Sequence, residues 1–385
     1  MSPQTVVQVT LWKSAYLGNF MLSQLALARE LRARLDLNTH FVLAPEAEGR
    51  AWLGDLDAAG MSWSIIPRDR SKWRAHLDEV IGERDTALLH THFTAADLQG
   101  AGAAAAAGVP CVWHIRTGFN GYPLLRRAKD LIKLRLIARR RVARIITVSP
   151  WLSEFARRRG APAERIETLP DAIALERFSR MPSGASARER FGLDPDAEVV
   201  LCLGWWPEVK GVDLLMQAVQ LLAGAHPRLA VLLVGEEPMS SYLAEHVPQL
   251  PSWLHETGFV DDSAWLFAAA DIFVSASRHE GQSTAVGEAL ACGLPVVMSD
   301  IPGTAGWGGA PKVLSFPSED AGALAARLEQ LLDEPREERD AAAARNRDWL
   351  LDHCTIEDWC ERMCAIYAEL LPGPSRRDAP SYDAA

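Results

Sequence analysis

No run of this chain reaches the roughly 18–20 consecutive apolar residues that a membrane-spanning helix requires. Residues Met1 to Ser14 show no apolar stretch of signal-peptide length behind a basic start. The expected location is therefore cytoplasmic. Basic side chains are also in deficit, 40 Lys and Arg against 50 Asp and Glu for a formal charge of −10. General nucleic-acid binding needs a cationic surplus to neutralise phosphates, so no nucleic-acid partner is expected. Cysteine is scarce, with six residues and no C-x-x-C pair. That excludes a disulfide-stapled scaffold and fits reduced, buried thiols. Cys360 and Cys364, four apart with His353 nearby, are most simply a core-facing helix, because a zinc site wants four well-spaced ligands. A P-loop signature is missing as well.

What is present is a globular composition, 48% apolar and 23% charged over 385 residues. This length suits two or three domains. Short β-rich apolar runs alternate with helical patterns: strand Val6–Leu11, helix Met21–Ala33, strand Thr39–Ala44, then strands at Ala87–His90, Pro110–His114 and Ile145–Val148. Such alternation predicts parallel strands joined by helical crossovers. Residues 177–197 are polar, carry Pro and Gly without periodicity, and read as an interdomain linker. The alternation then restarts at Val199–Leu203 and continues through strands Ala230–Val234, Glu256–Phe259, Ile272–Ser275 and Pro295–Met298, with helices Val212–Ala223, Ser263–Ala270, Thr284–Cys292 and Ala321–Leu332. The domains expected are thus 1–176, a linker at 177–197, 198–350, a terminal helical segment at 351–371, and a Pro- and charge-rich tail, 372–385, without fixed structure. In doubly wound domains ligands bind at the carboxyl ends of the strands.

The most informative stretch runs from Ser277 through Arg278, His279, Glu280, Gly281, Gln282, Ser283 and Thr284 to Glu288 and Pro295. It reads as a strand end, a polar loop and a helix capped by Ser283 or Thr284, with Gly293 and Pro295 as the stop. Free N–H groups at Gly281, Gln282, Ser283 and Thr284, with the helix dipole behind them, make an anion site suited to phosphate. Glu280 and Glu288 border it and can accept hydrogen bonds from sugar or ribose hydroxyls. A hydrolytic carboxylate pair is disfavoured, because eight helical residues rise about 12 Å, beyond the roughly 5–9.5 Å that glycosidases use.

These residues resemble glycosyltransferase family 4, the retaining glycosyltransferases of the GT-B fold. Glu280 to Glu288 matches that family's E-x7-E motif, and Pro207 to Asp213, Leu232 to Glu236, Thr257 to Asp261 and Ile145 to Ser149 agree in order. The resemblance implies an α/β chain of two Rossmann-like domains facing an interdomain cleft, with a C-terminal helix crossing back to the N-terminal domain. It implies a metal-independent enzyme that uses no cofactor and moves a sugar from a nucleotide-diphosphate sugar, a UDP-sugar favoured, to an acceptor hydroxyl of a small molecule, lipid carrier or glycan. By resemblance, Glu280 contacts the transferred sugar, Gly281 to Thr284 contact sugar and phosphate, Glu288 binds ribose, and Lys210 pairs with the diphosphate. By the same resemblance, His114 is expected beside the reacting sugar and Gly18 in the glycine turn near the diphosphate.

Trp113 and Arg116, flanking His114, are the expected acceptor contacts, and Trp113 and Trp205 are expected to stack on sugar or base. Trp205 follows Gly204 where the family usually has arginine, and Gly18-Asn19 replaces the usual double glycine. Two D-x-D matches, Asp55–Asp57 and Asp194–Asp196, fall in segments read as loop or linker, so no metal site is expected. The alternatives are a non-catalytic nucleotide-sugar-binding subunit, or an epimerase or phosphorylase on the same fold.

One region runs against the average charge. Arg126, Arg127, Lys129, Lys133, Arg135, Arg139, Arg140, Arg141 and Arg144 interleave with Leu131, Ile132, Leu134, Leu136 and Ile137. The run reads either as a surface helix with its charges in water, which is preferred on the net charge, or as a cationic helix lying on anionic lipid at the inner face of the membrane. Oligomeric state is left open.

Overall fold

The computed structural model describes residues 3–93, 95–118, 129, 131–235, 239, 242–243 and 251–371. Arg126, Arg127, Glu236 and the tail 372–385 lie outside the described residues. The chain divides into two compact units. The first takes the described residues up to Arg116, those from 129 to Leu169, and those from Ile356 onward; the second takes Pro170–Thr355.

The first unit is a seven-stranded sheet of β1 (Thr5–Val9), β2 (Asn38–Leu43), β3 (Ser62–Ile65), β4 (Thr86–His92), β5 (Cys111–Ile115), β6 (Arg144–Thr147) and β7 (Ile166–Thr168), in the order β3-β2-β1-β4-β5-β6-β7. The ladders are parallel throughout. Every residue of β1, β4 and β5 is buried. Continuous burial is what helices on both faces of a parallel sheet impose. Helix Gly18–Leu35 covers one side, and helix Ile356–Leu370 packs against it. The terminal helix therefore belongs to the first unit although the second lies between them in sequence. Its stripe of Trp359, Met363 and Tyr367, together with Cys360 and Cys364, is buried.

The second unit has six parallel strands, β8 (Glu198–Leu203), β9 (Leu229–Val234), β10 (Leu254–Thr257), β11 (Ile272–Ser275), β12 (Val296–Asp300) and β13 (Val313–Pro317), in the order β10-β9-β8-β11-β12-β13. Both orders reverse direction beside the first strand of the unit, and such switch points are where doubly wound sheets bind ligands. Residues 177–197 are not a bare connection. They include helix Gly184–Arg190, capped by the Ser183 hydroxyl accepting from the Ser186 N–H, and the buried Arg188, which donates to Asp271. Asp55 and Asp57 lie on helix Leu53–Ala58 rather than on a loop. No helix among the described residues is long and apolar enough to cross a membrane.

Candidate active site

In the second unit, β11 delivers the loop that carries Glu280, and the helix Thr284–Ala291 follows it. At the end of β8, the short helix Pro207–Lys210 delivers Lys210, and Gly211 turns the chain with φ +64°. A Cβ on Gly211 would lie 2.1 Å from the Ala276 carbonyl oxygen, so only glycine lets this turn seat against the β11 loop. The two loops are locked together by Arg278. Its guanidinium pairs with Asp213 at 2.8 Å and Glu319 at 2.7 Å, and its N–H donates to the Val209 carbonyl. Burial alone would raise the Asp213 carboxyl, but the bonds from Arg278 outweigh it and hold the group below its ordinary value.

This scaffold sets Lys210 Nζ 2.6 Å from Glu280 Oε1, which also accepts from the Ser277 hydroxyl at 2.8 Å. Eight residues on, Glu288 is buried and accepts from Arg177 at 2.7 Å, while Arg177 also donates to Ser263. Burial raises the Glu288 carboxyl above its ordinary value, and Arg177 only partly offsets that.

The backbone nest differs from expectation at the Ser283 N–H. The Ser283 N–H already donates to the Gly303 carbonyl at 3.2 Å, and the Gln282 side chain is clamped to both the N–H and the carbonyl of Asp171. Ser283 and Gln282 thus brace the loop. The N–H groups without an intrahelical acceptor are those of Thr284, Ala285 and Val286, the first turn of the helix. Gly303 is the counterpart of this brace. A Cβ there would lie 2.3 Å from the Glu280 carbonyl oxygen and 2.6 Å from the Glu280 Cβ. Gly303→Ala is expected to cost about 1–3 kcal/mol by overpacking and to displace Glu280; urea melts and donor titration check it.

In the first unit, His90 and His92 alternate on β4, so their side chains share one face of the sheet. The register places His92 opposite His114 on β5 and Gln8 of β1 opposite His90. The three imidazoles are buried, with ring centroids 4.1–5.4 Å apart. Arg116 lies against them, 3.3 Å from His114 Nδ1, its guanidinium 4.7 Å above the Phe20 ring. Burial and, for each ring, the Arg116 charge push all three imidazoles well below the ordinary histidine range, so they are neutral at physiological pH. They form the only three-residue group among the described residues with ligand atoms close enough, within 4.8 Å, for a metal ion. A cation fits them poorly, since the guanidinium repels it and already occupies ring nitrogens.

One expected acceptor contact, Trp113, is corrected by this geometry. Trp113 points to the opposite face of β5 from His114 and is fully buried in the core of the sheet. Arg116 is only 7% exposed and faces the histidines. Gly18 opens its helix at φ +62°, where a Cβ would crowd Trp12 and Tyr16 at 3.1–3.2 Å. Trp205, partly buried, packs against the core of the second unit, and its neighbour Trp206 is 75% exposed with φ +59°.

Residues 23–177 match the family model described as Glycosyltransferase Family 4, and residues 197–334 match the one described as Glycosyl transferases group 1. The chain belongs to this glycosyltransferase family. Among similar proteins, the GDP-mannose-dependent alpha-(1-6)-phosphatidylinositol monomannoside mannosyltransferase of Mycolicibacterium smegmatis is 31% identical over 271 residues, 63% of this chain and 66% of that one. The D-inositol 3-phosphate glycosyltransferase of Streptomyces bingchenggensis is 32% identical over 163 residues, 39% of this chain and 36% of the relative. The matched segments thus fall short of two thirds of either relative. HepE of Anabaena, solved with UDP and glucose, has the same fold, with a TM-score of 0.79 at 17% identity over 95% of this chain and 100% of that one.

In this family member the structure pairs Lys210 with Glu280, four residues before the helix that Thr284 opens, with Glu288 further along that helix. Arg177 was missed by sequence reasoning because it sits in the segment read as linker. Gln8, His90 and His92 were missed too. Their signal was visible, since polar residues inside otherwise apolar buried strands need a reason.

Proposed function

We propose that this chain is a retaining, metal-independent glycosyltransferase. It moves a sugar from a nucleotide-diphosphate sugar, with UDP-sugars the first expectation, to a hydroxyl of a small molecule, lipid carrier or glycan. The observation that carries the reading is the Lys210–Glu280 pair beside the free N–H groups of helix Thr284–Ala291. Without ligand the ammonium is neutralised by Glu280. An arriving diphosphate competes for it and takes the helix N–H groups as well, which frees a carboxylate oxygen to accept from a sugar hydroxyl.

As the glycosidic bond breaks, charge grows on the leaving phosphate oxygen, and Lys210 with the helix end stabilises it in the role a divalent ion otherwise fills. Retention then follows from attack on the face the phosphate leaves, the departing oxygen taking the acceptor proton. Glu288, paired with Arg177, accepts from the ribose. A melting-temperature screen with UDP-, GDP-, ADP- and dTDP-sugars tests the donor. A ligand that binds only the native state at about 100 times its Kd adds roughly 2.7 kcal/mol of stability, and no shift with any of the four would overturn the reading.

We infer further that the first unit meets a lipid surface. The four most exposed large apolar side chains among the described residues of that unit, Leu98 at 51%, Leu131 at 40%, Ile132 at 56% and Leu136 at 50%, accompany the exposed cations Lys129, Arg135, Arg139, Arg140 and Arg141. Lys133 ties their two helices together through Asp97 at 2.5 Å. Cations ringing exposed apolar groups suit an anionic bilayer. The protein is expected to sediment with phosphatidylglycerol vesicles at low salt and not with phosphatidylcholine vesicles, and Ile132→Asp with Leu136→Asp should abolish this. Equal sedimentation with both lipids, or an unaffected double variant, would contradict it.

A further inference from the structure

The buried polar cluster of the first unit has a direction that follows from one residue. A guanidinium has only donors, so the atoms it meets on the imidazoles must accept. Arg116 reaches His114 Nδ1 at 3.3 Å and His92 Nδ1 at 3.5 Å. Both neutral rings therefore carry their proton on Nε2.

The rest of the cluster follows from that origin. His92 Nε2–H donates to Gln8 Oε1 at 2.9 Å, which fixes the amide so that Gln8 Nε2 donates to the Tyr367 hydroxyl at 2.9 Å. The phenolic proton then has His90 Nδ1, 2.5 Å away, as its acceptor. His90 is left with its proton on Nε2 as well. The chain of bonds ends at His90 Nε2–H and His114 Nε2–H, two buried donors with no partner among the described residues. Unsatisfied buried donors are costly, and two on adjacent strands point to a ligand with oxygen acceptors.

We propose that Arg116 and Tyr367 are positioning residues that lock His114 and His90, respectively, in the Nε2–H tautomer, so that the pair presents two neutral donors to oxygen atoms of a sugar. Arg116 thereby acts through His114 and not on the acceptor, and Tyr367 makes the terminal helix part of the site. The sugar as ligand rests on the glycosyltransferase reading above; the tautomers do not. Neutrality is supported by the surroundings. The groups facing His114 are Arg116, His90 and His92, those facing His90 include the un-ionised Tyr367, and no carboxylate contributes to the shift of any of the three rings.

The test is nitrogen-15 NMR of the full chain with labelled histidine, resonances assigned by His90→Gln and His114→Gln. Wild type is expected to show His90 and His114 as fixed Nε2–H tautomers that do not titrate between about pH 5 and 8, the range where an ordinary histidine changes charge. Arg116→Met should release His114 into a tautomer mixture with a higher pKa, Arg116→Lys should restore the lock in part, and Tyr367→Phe should release His90 alone. Turnover of the nucleotide sugar found by melting should fall about 10²-fold in Arg116→Met, through kcat rather than KM. An Nδ1–H tautomer in wild type, or variants that leave both rings unchanged, would overturn the proposal. Locked tautomers in a chain that turns over no nucleotide sugar would reject the sugar reading and leave the positioning roles standing.

Discussion

Lys210→Met is expected to lower turnover by about 10²–10³-fold, the loss seen when one preorganised charge-stabilising donor is removed, while the protein remains folded. The separation of the two effects follows from the surroundings. Lys210 is one-fifth exposed and its partner Glu280 keeps a second bond from Ser277, so the native state loses one partly solvated ion pair. The transition state loses more, because the charge on a departing diphosphate is greatest as the bond breaks. Lys210→Arg should not rescue fully, since a planar fork cannot replace a compact ammonium in a site shaped by the Gly211 turn. Steady-state kinetics with melting curves on the same samples check this. A wild-type kcat in Lys210→Met would assign the leaving group to other residues.

Glu288→Ala should destabilise the second unit by about 1–3 kcal/mol, because it leaves the partly buried Arg177 guanidinium with only its bond to Ser263. Fold and function separate in the double variant Arg177→Met with Glu288→Leu. Removing both charges should restore much of the stability, while nucleotide-sugar affinity, read by calorimetry, should stay lost. Recovered affinity in that variant would remove ribose binding from Glu288.

The same pair has a pH signature. The folded carboxyl titrates above its ordinary value of 4.5, so just above that pH the native state holds a proton that the unfolded chain has released. Stability contributed by the protonated form is thus present below 4.5 and lost as pH rises through the folded value. Denaturant melts of wild type should show this downward slope with rising pH, and Glu288→Gln should flatten it.

How much of this could be read without coordinates differs from element to element. The central strands β1, β4, β5, β8, β9 and β11 were legible because burial on both faces makes them largely apolar, even where Gln8, His90, His92 and His114 interrupt the run. The edge strands β3, β7 and β13 were not, and β10 was displaced by two residues. Edges are short and half-solvated, so Ser62–Ile65 and Ile166–Thr168 mix polar and apolar residues without a period that identifies them. Helix Gly184–Arg190 was hidden for a related reason. Seven polar and small residues give little amphipathic signal, and what holds them is the ion pair of Arg188 with Asp271, 83 residues away.

The sequence by itself determined the family, the two parallel-sheet units, and the placing of Glu280 and Glu288 on one loop and helix, because spacing along a loop and helix is local and survives in the order of residues. Only the tertiary structure decided what each group meets. It turned Trp113 into core and His114 toward the other face of β5, although the two are adjacent in sequence. Ser283 and Gln282 became braces and Arg177 the partner of Glu288. It also gathered Gln8, His90, His92, Arg116 and Tyr367, from both ends of the chain, into one hydrogen-bonded cluster. Burial, tautomer and ion pairing depend on contacts between residues far apart in sequence, and no local pattern encodes those.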